Sequence, residues 1–215
     1  MQGITKLIKH AREGNFSFIL QGIKKRLYSK NEAYGLKRDL SVPFKNPEAL
    51  IPISIRRAKK EDDAYFNADN YNHGIISANL QTCYVATNED GIPAYRQWLM
   101  GSDQNPGIKA FWKGSFPVLA PDEALLENAF SRPEFRGKRI MPAAMARIAE
   151  KGNDIGARYI ITFVDIHNIP SLKGCKRSGF APYLLRTERW LLFNRKIRFE
   201  PAGSGHMNHF RQVTS

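Results

Sequence analysis

Three cations stand in a short turn that leads into a predicted helix. The segment SRPEFRGKRIMPAAM, residues 131–145, contains Arg136, Lys138 and Arg139, and an apolar helical pattern follows Pro142. The first N–H groups of a helix have no partner within the helix and carry partial positive charge, so phosphate binds there readily. Guanidinium and ammonium groups add charge-assisted hydrogen bonds to the same anion. The arrangement is physically suited to a diphosphate ligand, and a solvated basic turn without a ligand is the alternative.

The charge balance favours an anionic ligand without choosing one. The chain of 215 residues has 33 Lys and Arg against 20 Asp and Glu, a formal net charge of +13. A basic protein commonly binds nucleic acid, anionic lipid or a phosphorylated small molecule. The cationic stretches lack the interleaved aromatic residues of a single-strand platform, and no helix-turn-helix or zinc-type spacing is visible. We therefore expect no nucleic-acid partner.

The two cysteines, Cys83 and Cys175, lie far apart and form no metal-ligand spacing. Neither a disulfide framework nor a metal site is therefore expected, and a reducing cytosol is the expected compartment. The apolar run at 18–20 is too short for a signal peptide, and no stretch approaches the ~20 apolar residues of a membrane span. The sequence predicts a cytoplasmic protein, either free or peripheral at the inner face of the membrane.

The N-terminal segment is basic and amphipathic. Residues 3–28 predict two helices broken near Gly14, because apolar residues recur at three- and four-residue steps between lysines and arginines. Such a segment is either an appendage packed on the body or a helix that docks on an anionic membrane or a partner. The proline-rich stretch SVPFKNPEALIP then predicts a linker. We expect a basic helical extension over 1–45, a main domain over 46–202 and a polar tail over 203–215.

Strand and helix patterns alternate in the second half of the chain, where they position the cationic turn. ALLENAFS predicts a strand before the turn, PAAMARIAEKG a helix after it, and RYIITFVDI a strand buried on both faces. PSLKGCKRSG predicts a short helix, and FAPYLLRTERWLLF the closing strands. Earlier in the chain, TCYVATNEDGIPAYRQWLM predicts a β-hairpin that turns at 88–91, and residues 101–121 predict a long irregular loop.

Two motifs in this order resemble the core of the GNAT superfamily of acyl-CoA-dependent N-acyltransferases. PEFRGKRI follows a strand and precedes a helix, and DIHNIPSLKGCKRSGF spans the end of the next buried strand. The family has P-x-x-R-G-x-G-I-G at the first place and N-x-x-[SA]-x-x-x-Y-x-x-x-GF at the second. The resemblance covers residues 55–195. It implies an α/β (α+β) fold with a mixed, mostly antiparallel sheet, a splayed parallel strand pair and flanking helices.

The resemblance also implies acetyl-CoA as the acyl donor. Arg136 falls on the family's leading Arg or Gln, and residues 137–142 fall on the loop whose backbone amides hold the CoA diphosphate. Ala129 and Ser131 fall where a strand hydrogen-bonds the pantetheine arm, and Asn168 falls on the Asn that contacts it. The implied cofactor-binding set is Ala129, Phe130, Ser131, Arg136, Gly137, Lys138, Arg139, Ile140, Met141, Pro142, Asn168 and Ser171.

The sequence departs from the family pattern at three positions. Arg139 and Met141 replace two loop glycines, which let phosphate approach the backbone closely. Arg139 either compensates with its guanidinium or marks weaker binding. Cys175 stands where the family usually has the tyrosine that protonates the departing CoA thiolate. Its thiol either donates that proton or is a small buried group packed under the sheet.

The implied reaction needs a base that takes a proton from the acceptor amine. Glu127 is the first candidate, because period-2 alternation predicts that it shares a face with Ala129 and Ser131 toward the cofactor cleft. An acceptor-binding or solvated glutamate is the alternative. Asp165 and His167, at the end of the buried strand, are further candidates, and an ordinary hydrogen-bonded loop histidine is the alternative for His167.

These expectations combine into two functional hypotheses. The first is transfer of an acetyl group, or of a longer acyl group, from CoA to a primary amine by direct attack in a ternary complex. An amino sugar or another precursor of surface polysaccharide is the suggested acceptor. The second is a degenerate GNAT-fold binding module whose basic surface meets an anionic membrane or nucleic acid. Residues 1–30 are the candidate membrane contact, and the oligomeric state is open, with a dimer as one option.

Overall fold

One eight-stranded sheet organises the described part of the protein. The computed structural model describes residues 16–66, 80 and 82–215. The strands are β1 Tyr28–Asp39, β2 Ser54–Arg57, β3 Cys83–Thr87, β4 Pro93–Gly101, β5 Glu123–Ser131, β6 Tyr159–Asp165, β7 Ala181–Leu191 and β8 Asn194–Pro201. They lie in the order β2-β3-β4-β5-β6-β1-β7-β8. Neighbours are antiparallel except β5 and β6, which are parallel. The mixed, mostly antiparallel sheet is the one that the family resemblance implies.

Helices cover both faces of this sheet. They are α1 Phe16–Leu27, α2 Asn105–Trp112, α3 Ile140–Glu150, α4 Ile169–Arg177 and α5 Ser204–Thr214, with 3-10 turns at Lys60–Phe66, Ser102–Gln104, Pro133–Phe135 and Asn153–Ile155. The larger core cluster includes residues of α3, α4 and α5 packed against one face. A smaller cluster, which includes Ile108 of α2, packs on the other face.

The helix after the cationic turn forms as its pattern predicts. Proline is tolerated in the first turn of α3, where Pro142 lies, because an N–H is not needed there. Ala144, Met145 and Ile148 are fully buried against the sheet. Burial of a methionine or isoleucine side chain contributes ~1.5–3 kcal/mol. This stripe fixes the start of α3, and with it the cationic turn, against β4 and β5.

The prediction that residues 28–39 belong to a helical extension is wrong. They form β1, which lies inside the sheet between β6 and β7. The lysine and arginine residues of this strand make it look like part of an exposed basic segment. Arg38 is nevertheless buried, and its guanidinium donates to the carbonyls of Ala146 and Ser178. At Gly35 an added Cβ would lie 2.9 Å from the Phe163 ring, so that ring packs directly on the backbone. The first predicted helix, over about 3–14, lies outside the described residues.

Two other segments expected to be irregular contain helices. The predicted polar tail at 203–215 forms α5, and Phe210 inserts into the larger core. The Tyr34 hydroxyl of β1 donates to the His206 carbonyl at 2.9 Å, which holds the helix on the sheet. Within the predicted loop at 101–121, Ile108 anchors α2 against the other face. In both segments the apolar residues that reach the core are set among Gly, Ser, Asn and other polar residues, which is a weaker signal than a full amphipathic stripe.

Candidate active site

Strands β5 and β6 separate along their length. Their parallel register covers only Glu123–Leu125 and Tyr159–Ile161 in the described sheet. Beyond that point the carboxylate of Glu127 lies in the gap, and its Oε1 accepts a hydrogen bond of 2.6 Å from the Phe163 N–H. Thr162 Oγ1 donates to the same oxygen at 3.3 Å. The Glu127 side chain thus accepts a hydrogen bond from a backbone N–H of β6. The backbone of β5 does not pair with this N–H group, because the two strands diverge.

Burial raises the pKa of Glu127 to about 7, although the hydrogen bond from Phe163 and the positive charge of Arg186 act in the opposite direction. A carboxylate with a pKa near neutrality is about half ionised at physiological pH, so it can accept and release a proton there. Among the predicted candidates, Glu127 has the electrostatic setting of a general base.

A β-bulge lies beside Glu127. Trp98 of β4 is opposite Glu127, and Arg96 is opposite Phe130, so one residue of β4 faces two residues of β5. Asn128 in the bulge has a φ of 58°, a left-handed conformation that asparagine tolerates.

The bulge changes which side chains share a face. Arg96 and Trp98 are two residues apart and lie on the same face, so Glu127 and Phe130 do too, whereas Ala129 lies on the other face with Ser131. The prediction that Glu127, Ala129 and Ser131 share a face is therefore wrong, because the extra residue shifts the alternation by one.

The gap between the strands opens into a cavity of about 510 Å³. It is lined by Gln97, Glu127, Asn128, Ala129, Phe130, Met141, Met145, Thr162, Phe163, Val164, Asp165, Asn168, Ser171 and Cys175. Cys175 is only 1% exposed, and its Sγ lies 3.8 Å from Met145 Sδ. Burial, together with the nearby Glu127 carboxylate, raises the pKa of this thiol above its usual value.

The other predicted site residues lie around the same end of β6. Asn168 Oδ1 accepts the Ser171 N–H at 3.3 Å, which caps α4, and both residues line the cavity. Asp165 also lines it, but its Oδ1 accepts the backbone N–H of His167 at 2.8 Å. His167 is exposed in the turn and does not line the cavity.

A second cavity, of about 520 Å³, adjoins the first and shares Ala129, Phe130, Met141 and Ser171 with it. Its wall includes Arg136, Gly137 and the start of α3, and no side chain caps that helix. The cavity therefore meets a helix N-terminus and the predicted cations. Lys138 is the exception among the three predicted cations, because its ammonium lies over the Phe135 ring at 5.0 Å and it does not line the cavity.

Sequence reasoning missed two cations of the second cavity. Lys173 and Arg177 of α4 line it opposite the turn. Their i, i+4 spacing places them on one face of a helix, which is the signal that could have identified them. With Arg136 and Arg139 they give the cavity four cationic side chains.

The two replaced glycines have structural consequences. Arg139 has a φ of 55°, the left-handed region that favours glycine. Met141 packs on α4 at Gly174, where an added Cβ would lie 2.2 Å from its sulfur. The absence of a side chain at Gly174 thus leaves room for the methionine, whose side chain lies at the junction of the two cavities.

Comparisons with known proteins support the fold. No protein-family model matches the sequence, and no curated protein matches it. The chain is similar to a solved GCN5-related N-acetyltransferase from Sphaerobacter thermophilus, with 14% identity, a TM-score of 0.54, and coverage of 80% of this chain and 56% of that one. A GNAT-family acetyltransferase from Colwellia psychrerythraea has 14% identity and a TM-score of 0.53, covering 80% and 57%.

A third structure is a GCN5-related glucosamine N-acetyltransferase region of a fungal multi-domain GH3 β-N-acetylglucosaminidase. It has 17% identity and a TM-score of 0.54, and the match covers 84% of this chain and 22% of that one. The chain thus spans less than two thirds of the length of these structures. The mixed sheet, its splayed parallel pair and these similarities together give this chain the fold of the GCN5-related N-acetyltransferases.

Proposed function

We propose that the protein is an acyl-CoA-dependent N-acyltransferase that transfers an acetyl group from acetyl-CoA to a primary amine. The observation that carries the proposal is the pair of adjoining cavities, one with Glu127 between splayed strands and the other with four cations at a helix N-terminus. The carboxyl group in the first cavity suits proton transfer, and the cations in the second suit a bound diphosphate.

The residues present fit a CoA thioester. Arg136, Arg139, Lys173 and Arg177 would hold the diphosphate together with the N–H groups at the start of α3. The separated edges of β5 and β6 would take the amide-containing arm, since diverging strands expose backbone hydrogen-bonding groups. The bound thioester supplies an activated acyl carbon in the first cavity.

Glu127 would prepare the acceptor. An ammonium group cannot attack a carbonyl carbon, so one proton must first pass to a base, and the carboxylate is available near neutral pH. The amine nitrogen then forms a bond to the acyl carbon as the C–S bond breaks, and it loses its second proton to solvent. The departing thiolate takes up a proton, so the amide and free CoA are the products. Because attack is direct, both substrates must be bound at once.

Cys175 is poorly suited to protonate the leaving thiolate. An acid whose pKa is raised by burial gives up its proton less readily than an ordinary thiol. We infer that its side chain packs the cavity wall beside Met145, and that solvent or the protonated Glu127 supplies the proton.

Calorimetric titration with acetyl-CoA and with CoA tests the proposal. We expect saturable binding with one site per chain, followed by amine-dependent release of CoA thiol. Amino sugars are the first acceptors to test, because one structurally similar protein is described as a glucosamine N-acetyltransferase region. Absence of CoA binding by the folded protein would reject the proposal.

A further inference from the structure

Bulky apolar residues occupy an unfavourable turn at one end of the sheet. Strands β7 and β8 are joined by Leu192 and Phe193, since Leu191 pairs with Asn194. Leu192 has a φ of 47° and Phe193 a φ of 64°. Two positive φ angles in a two-residue hairpin loop favour Asn and Gly, and Leu-Phe is strained there. Nevertheless Leu192 is 72% exposed and Phe193 55% exposed. The sequence thus places large apolar groups in water where smaller residues would fit better.

Neighbouring apolar groups enlarge this surface. Tyr28 pairs with Leu191 across β1 and β7, and both are exposed. The N–H groups of Leu192 and Phe193 donate to the carbonyls of Leu27 and Arg26, which joins the hairpin to the end of α1. We call these residues the apolar tip: Leu20, Ile23, Leu27, Tyr28, Leu191, Leu192 and Phe193, all exposed. They are more than half of the exposed large apolar side chains in the described part of the chain.

Helix α1 continues the tip with an amphipathic arrangement. Leu20, Ile23 and Leu27 form one stripe at 100° per residue, with Lys24 and Arg26 on either side of it. These side chains are all exposed, so the helix packs little of this surface on the body. Cations that border an apolar stripe suit the boundary between lipid headgroups and acyl chains.

A row of three cations lies next to the tip. Lys30 is opposite Arg189 across β1 and β7, and Arg189 is opposite Lys196 across β7 and β8. Like charges directly opposite each other destabilise a sheet, so an anion bound along this row would relieve their repulsion. Lys30 has one acidic neighbour, Glu32 at 2.7 Å. All three cations line a groove of about 500 Å³, together with Arg198 and the acidic Glu32 and Glu200, so cations outnumber acidic side chains there.

The geometry points to a membrane-docking surface, and we propose that the apolar tip and the cation row together bind an anionic phospholipid bilayer. The cation row lies two residues, about 7 Å, along the strands from the Tyr28–Leu191 pair. Leu192 and Phe193 insert into the interface, while Lys30, Arg189 and Lys196 meet the lipid phosphates. No helix among the described residues is long and apolar enough to cross a membrane.

Vesicle sedimentation with the full chain tests this surface. We expect binding to vesicles of phosphatidylcholine with phosphatidylglycerol, weaker binding at high salt, and little binding to phosphatidylcholine alone. The double variant Leu192→Asn with Phe193→Gly should bind about tenfold more weakly or worse. Since Asn-Gly suits the turn, its unfolding temperature should equal or exceed that of the unsubstituted protein. That variant should also keep its affinity for acetyl-CoA, which separates this proposal from the enzymatic one.

Matched variants complete the test. Arg189→Gln with Lys196→Gln should also weaken binding and reduce its salt dependence. Val42→Asn removes an exposed apolar group beyond the other end of β1, and Lys109→Gln removes an exposed cation of α2, and both should bind like the unsubstituted protein. Failure of the full chain to bind anionic vesicles, or unchanged binding by the tip variant, would overturn the proposal. Binding to duplex DNA that needs the cation row but not the tip would instead assign the surface to nucleic acid.

Discussion

Glu127 is the residue at which the proposed chemistry is most directly tested. Glu127→Gln keeps an oxygen that can accept the Phe163 N–H, so the fold should survive. We expect turnover to fall by about a hundredfold or more, with little change in the Michaelis constant for acetyl-CoA, because only proton transfer is lost. In the unsubstituted protein kcat/KM should rise with pH and level off above about 7. Full activity of the variant would remove Glu127 as the base.

The raised pKa of Glu127 also leads to a prediction about stability that does not depend on catalysis. The pKa of Glu127 is raised from 4.5 to about 7, so in this range the folded protein holds the proton more tightly than the unfolded chain. The contribution of Glu127 to the free energy of unfolding therefore falls as pH rises from about 4.5 to about 7. Relative to the unsubstituted protein, Glu127→Gln should become more stable across this interval. Denaturant unfolding at several pH values measures it, and parallel curves would contradict the buried setting.

Cys175 and His167 should be far less important for turnover. Cys175→Ala removes a buried group beside Met145, so we expect a loss of about 1 kcal/mol in stability and turnover within a few-fold of the original. His167→Ala alters an exposed side chain outside the cavity and should leave the pH profile unchanged. Steady-state kinetics across pH measures both variants. A loss with Cys175→Ala as large as that with Glu127→Gln would restore the thiol as a proton donor.

At the scale of elements, the turn before α3 and one face of α4 line the same cavity, which we propose as the diphosphate site. Arg136→Ala with Arg139→Ala, and separately Lys173→Ala with Arg177→Ala, should each raise the Michaelis constant for acetyl-CoA by about tenfold or more. Turnover at saturation should change less. Lys151→Ala, an exposed cation just after α3, is the matched control. If the α4 pair had no effect while the turn pair did, the diphosphate would bind to the turn alone.

The elements also show what could be inferred from the sequence. The hairpin of β3 and β4 is confirmed, because Asn88 and Gly91 have the turn chemistry that the strands need. Met145 and Ile148 likewise predict the buried face of α3 correctly. The bulge at Asn128 could not be predicted, since nothing in ALLENAFS marks the extra residue. Arg136 and Arg177 line the same cavity because α3 packs beside α4. No local sequence pattern predicts this contact between the two helices.

At the scale of the whole molecule, the N-terminal segment has two parts with different roles. β1 separates β6 from β7, so without it the sheet would be divided into two pieces. Its residues Tyr34 and Leu36 are fully buried. By contrast, the residues of α1 from 20 to 27 are exposed apart from Gly22. Because lysine and arginine occur throughout residues 1–45, the sequence predicts one basic segment. Among the described residues of this segment, β1 supplies buried core side chains, whereas residues 20–27 of α1 are mostly exposed.

Two truncations separate these parts. Removal of residues 1–27 leaves every described strand in place, so the shortened chain should unfold cooperatively and retain acetyl-CoA binding, while vesicle binding falls with the loss of α1. Removal of residues 1–39 takes away β1, with its two buried side chains and its hydrogen bonds to both neighbours, and should give a chain that does not fold. Circular dichroism during heating, with calorimetric titration of acetyl-CoA, measures both. A cooperative transition in the shorter chain would mean that β1 is an accessory strand, and loss of folding in the longer one would mean that the segment before β1 belongs to the core.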